Sequence, residues 1–86
     1  MDKNSSIMAI FQENRVETAV KVQDILTKFG CNIRIRLGLH GDVVDGCSSN
    51  GMILLQLTGE ESVVSELEQQ LQAIPKVKVK YMILDF

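Results

Sequence analysis

The sequence is poor in the residues that usually announce chemistry. It has one histidine, two cysteines and no tryptophan in 86 residues. Two cysteines are too few for a disulfide scaffold, and in a reducing compartment both stay free thiols. No apolar run approaches the roughly 20 residues that a membrane-spanning helix needs. The opening Met-Asp-Lys-Asn-Ser-Ser is polar. It has neither the apolar stretch nor the cleavage site of a signal peptide, so a cytoplasmic chain with no membrane contact is expected. Asn4-Ser5-Ser6 matches a glycosylation sequon, which carries no weight without secretion. Basic excess is missing too: the net charge is −2. Phosphate neutralisation needs a basic surface, so direct nucleic-acid binding is not expected.

What is present suffices for a small core. Apolar residues make up 45% of the chain, which argues against disorder. The length fits one domain spanning 1–86. Ser5 to Gln12, rich in Ile, Met and Phe, reads as a buried strand. Asn14-Arg-Val-Glu17 reads as a capping box. It opens a helix with Ala19, Val22, Leu26 and Phe29 on one face, and Gly30 supplies a left-handed stop. In the next strand Ile33, Ile35, Leu37 and Leu39 point one way, Arg34 and Arg36 the other. Clean alternation marks an edge strand with one wet face. Met52 to Leu57 is nearly all apolar and belongs in the middle of a sheet. Thr58-Gly-Glu-Glu61 forms a second capping box before the stripe Val64, Leu67, Leu71 and Ile74. Pro75 ends that helix, because the residue before proline avoids helical geometry. Val77-Lys-Val-Lys-Tyr81 alternates again and reads as the other edge.

The order is β-α-β-β-α-β, the split βαβ pattern of ferredoxin-like folds. The expected class is α+β: a four-stranded antiparallel sheet, strands one and three central, with right-handed crossovers placing both helices on one face.

That architecture leaves the other face bare. With Ile7, Ala9 and Phe11 set toward the helices, Met8 and Ile10 point away, beside either Met52 and Leu54 or Ile53 and Leu55. Arg34, Arg36, Lys78 and Lys80 flank this centre, followed by Met82 and Leu84 on the last strand. The expected face has an apolar middle and a cationic margin, more apolar surface than a small monomer usually exposes. A two-fold dimer covers it most simply; Arg and Lys stems laid across it are the alternative. On this placement Met8→Asp splits the dimer and leaves the chain folded. An RNA-binding sheet of this topology stacks bases on aromatics of strands one and three. Here strand three has none and strand one has only Phe11.

The segment between strands two and three holds the residues with possible chemistry. His40 ends strand two, Asp42 and Asp45 follow, and Cys47 comes next. Imidazole, carboxylate and thiolate are all metal ligands. Their spacing matches no paired Cys-x-x-Cys pattern, and a solvated histidine with a small thiol is the plainer reading. Cys31 lies at the far end of the strand, about 27 Å away at ~3.4 Å per residue, beyond the reach of a disulfide. A Cys–His nucleophile needs an orienting group and an oxyanion site, and neither is apparent. Gly38, Gly41, Gly46 and Gly51 are scattered and do not form the Gly-x-Gly-x-x-Gly phosphate cradle. The segment is longer than a usual hairpin loop, which points mildly to binding.

Two stretches carry a family likeness: Lys28-Phe-Gly-Cys-Asn-Ile-Arg-Ile-Arg-Leu-Gly-Leu and Leu71-Gln-Ala-Ile-Pro-Lys-Val-Lys-Val-Lys. With them nearly the whole chain resembles small ACT-like regulatory domains, and is similar in particular to the iron-only hydrogenase system regulators. The resemblance implies regulation, oligomers and no reaction. Two departures stand out. Amino-acid-binding ACT domains carry a turn such as Asp-x-Pro-Gly after strand one, where this chain has Gln12-Glu-Asn-Arg-Val16. Nickel-responsive regulators carry a His-x-His and a later Cys; His40 and Cys47 echo two of these, but Gly38 stands in place of the first His.

The expected function is a non-enzymatic regulatory or ligand-binding module that self-associates through its sheet as a dimer or higher oligomer, acting on a protein partner or small ligand. It needs no cofactor. The first alternative is a metal sensor built on His40 and Cys47, with Asp42 and Asp45 as further ligands; the second is a small enzyme.

Overall fold

Strand β1 (Ser5–Gln12) runs through the middle of a four-stranded sheet and is paired along its full length on both sides. The computed structural model describes residues 5–13, 15–40 and 50–85; the side chains of Arg15 and His40 lie outside that description. Helix α1 (Arg15–Lys28) follows β1, and a 3₁₀ turn over Gly30–Asn32 leads into β2 (Ile33–His40). Then come β3 (Gly51–Thr58), α2 (Glu61–Gln72) and β4 (Val77–Leu84). The strand order is β2-β3-β1-β4 and every pairing is antiparallel. This is the expected ferredoxin-like α+β fold, with the apolar strands β1 and β3 inside.

One core lies between the sheet and both helices. Val22 and Leu26 from α1 meet Val64, Leu67 and Leu71 from α2 over Met8, Ile10, Ile53, Leu55, Leu57, Val77 and Val79. The helical stripes read from the sequence therefore face the sheet. Burying a Leu or Ile contributes roughly 1.5–3 kcal/mol, so this cluster supplies most of the driving force for folding.

Three local readings change. Gly30 is not left-handed: α1 closes through the 3₁₀ turn, where the Asn32 amide donates to the Phe29 carbonyl. Thr58 does not cap α2, because it is still in the ladder opposite Ser5; the cap is Glu60, with no side-chain bond. Gly59 makes the intervening turn at φ +123°, a conformation L side chains avoid. Asn32 closes on it, donating Nδ2–H to the Thr58 carbonyl at 2.9 Å. Asn14, the first expected cap, lies outside the described residues.

The largest change concerns β2. The pairing with β3 runs Ile33–Leu57 and then Ile35–Gln56, so an extra residue is inserted between the two contacts. Such a bulge flips the side-chain parity beyond it. Ile33 packs against the core, while Ile35, Leu37 and Leu39 turn to the face without helices. Arg36 consequently falls opposite Leu55, on the helix side of the sheet, and Arg34 sits in the bulge itself. Neither belongs to the cationic margin expected for the bare face.

Candidate binding face of the sheet

Backbone pairing places side chains on the open face in rows, because residues opposite each other on neighbouring strands share a face. One row reads Ile35, Gln56, Ile7, Met82 across β2-β3-β1-β4. The next reads Leu37, Leu54, Ala9, Lys80. The third reads Leu39, Met52, Phe11, Lys78. Within these three rows only Gln56 is polar on the first three strands, and both charges sit on β4.

The face is open to solvent at its margins. Ile35 is 60% exposed, Leu37 52% and Met82 60%, unusual values for large apolar side chains in a sheet. Leu54, Ile7, Ala9 and Phe11 are half-buried by their neighbours. Two shallow hollows open between β1 and β4. Ile7, Tyr81 and Met82 line one, Phe11, Met52 and Lys78 the other, and both share Ala9 and Lys80. They exist because Ala9 is the smallest side chain in the middle of the face.

The structure sorts the residues read as an interface. Lys78, Lys80 and Met82 lie on the open face, and Leu84, opposite Ser5, shares it. Met8 and Ile10 do not: both are 0% exposed in the core. Their parity follows from β4, whose valines turn inward. Ile10 pairs with Val79 and Met8 with Tyr81, so the even positions of β1 face the helices and Ile7, Ala9 and Phe11 face out. Of the two pairs offered for β3, Met52 and Leu54 are the ones on the open face. Ile35, Leu37 and Leu39 join it through the bulge, the one local signal that sequence alternation conceals.

Among the metal-ligand candidates, the His40 backbone ends β2 opposite Gly51. Its side chain, Asp42, Asp45 and Cys47 lie outside the described residues. Cys31 is an exposed free thiol in the 3₁₀ turn. Among the described residues, no three His, Cys, Asp or Glu side chains gather into a metal site. No helix among them is long and apolar enough to cross a membrane.

Among the described residues, two buried side-chain polar atoms lack a hydrogen-bond partner: the Ser6 hydroxyl, on the core side, and the Gln56 amide nitrogen, on the open face. Other polar groups find partners: Thr18 Oγ1 donates to Gln12 Oε1 at 3.2 Å beneath α1, and Gln72 Nε2 donates to the Val79 carbonyl at 3.1 Å.

Comparison with known proteins yields structural neighbours. An uncharacterized protein from Thermotoga maritima superposes with a TM-score of 0.83 at 26% identity, covering 96% of this chain and 99% of its own. An unknown protein from Galdieria sulphuraria gives 0.61 at 11% identity, covering 96% of this chain and 46% of that one. CPII from Thiomonas intermedia K12, solved bound to ADP, AMP and acetate, gives 0.54 at 15% identity, with 93% and 87% covered. The last two likenesses are of fold alone. No family model and no curated protein matches.

Proposed function

We propose that this chain is a non-enzymatic, ACT-like regulatory module that self-associates through the open face of its sheet and acts by binding a partner or small ligand. The observation that carries this reading is the block Ile35, Leu37, Leu39, Leu54, Met52, Ile7, Ala9 and Phe11, interrupted only by Gln56. Apolar surface of that extent is held out of water in most small proteins. Each large side chain covered contributes roughly 1.5–3 kcal/mol, and several together offset the several kcal/mol that association costs in lost freedom.

The reading is tested by sedimentation equilibrium. The wild-type chain is expected to be dimeric or larger at about 50 μM, a concentration at which a micromolar complex is mostly formed. Leu37→Asp, which sets a charge on the face without touching the core, is expected to shift it to monomer with the circular dichroism spectrum unchanged. A wild-type chain that stays monomeric across the range sinks the proposal.

A further inference from the structure

We infer that the open face pairs with the same face of a second copy about a two-fold axis that runs parallel to the strands between β1 and β3, seating Leu54 of each copy against Ala9 of the other. This rests on the self-association proposed above and specifies its geometry.

The strands are eight residues long. At ~3.4 Å per residue and ~4.8 Å between strands, the sheet face covers about 500 Å². Two such faces bury about 1,000 Å² together, which reaches the lower bound for a specific interface only when the whole face is used. A single peptide strand or a helix laid on it would leave much of the apolar block wet. A second copy covers all of it.

Shape then selects the axis. The two hollows meet at Ala9, and Ala9 is the direct cross-strand partner of Leu54. A small and a large side chain thus stand side by side, one on each side of the sheet's midline. Rotation by 180° about that midline exchanges β1 with β3 and β4 with β2. It lays Leu54 over the partner copy's Ala9, and Ala9 over its Leu54, so the face is complementary to itself. The same rotation places Lys78 and Lys80 over Leu39 and Leu37 at the margin, where their stems cover apolar surface and their ammonium groups reach water. An axis perpendicular to the strands instead stacks β4 on β4 and confronts the lysines with each other. Aligned sheets pack about 30° apart because they twist, and the pair closest to the axis is least displaced by that angle.

The test exchanges large for small in separate chains. Ala9→Leu fills both hollows of a homodimer with side chains that meet Leu54. Leu54→Ala empties both contacts. Each variant alone is expected to weaken its homodimer at least about tenfold. Mixed, the two variants are complementary at both contacts, and native mass spectrometry is expected to show the mixed dimer well above its statistical share. Neither substitution touches the helix-side core, and thermal melts monitor folding. A wild-type dimer whose variants mix statistically overturns this geometry and leaves self-association standing. A wild-type chain that is always a monomer overturns both.

Discussion

Ser6 is 1% exposed, and its hydroxyl is buried without a partner between its cross-strand neighbours Leu57 and Ile83. Burying an unbonded hydroxyl costs about 1–3 kcal/mol. Ser6→Ala is therefore expected to raise stability by about 1 kcal/mol, read as a higher urea midpoint at unchanged slope. Gly59 works in the opposite sense. Any side chain there meets the left-handed φ and a Cβ position only 2.6 Å from Asn32 Nδ2. Gly59→Ala is expected to lower stability by about 2 kcal/mol, through strain and through displacement of the Asn32–Thr58 bond. Met8→Asp, which splits a dimer if Met8 lies on the open face, is instead expected to abolish cooperative unfolding. It buries an unpaired carboxylate among Leu55, Val79 and the helices. Leu37→Asp keeps the fold, and the contrast between the two separates core from face.

At the scale of elements, the boundaries of β1 were legible because Glu13 and Asn14 break an apolar run, and Ser5 to Gln12 is the strand observed. The α2 stripe was legible from its spacing: Val64, Leu67 and Leu71 are buried, and Ile74, just past the end of the helix, is buried with them. The orientation of β1 was not legible, because Ile7, Ala9 and Phe11 are as apolar as Met8 and Ile10. Only pairing with the Val–Lys alternation of β4 decides it, and that register is a tertiary fact. β4 continues past its alternating stretch Val77 to Tyr81: Met82 to Leu84 still pair with β1, as the placement of Met82 and Leu84 on the last strand requires. The bulge of β2 was hidden for a similar reason: an unbroken Ile-Arg-Ile-Arg-Leu pattern gives no sign of an inserted residue. Beyond the bulge Arg34 to Leu39 are all exposed, and β2 shares its main contacts with β3 rather than with either helix. Hydrogen exchange is expected to show this difference. Amides of β1 should exchange only through global unfolding, while the outward amides of β2 exchange through local opening orders of magnitude faster. Equal protection across the two strands would contradict it.

The whole molecule couples folding to association if the open face is covered by a second copy. Ligation of the native state by another native chain makes stability depend on concentration. The melting temperature is expected to rise by several degrees between about 5 and 500 μM, and to stay flat for Leu37→Asp. The bulge between Ile33 and Ile35 has a consequence at this scale as well. A sheet has two edges, and joining through either leaves another free, so pairing by edges can continue without end into a fibre. A face is used once: two copies that meet face to face have no second face to offer. By kinking the β2 edge and moving three apolar side chains from one side of the strand to the other, one inserted residue makes growth along the edge harder and closure in pairs easier.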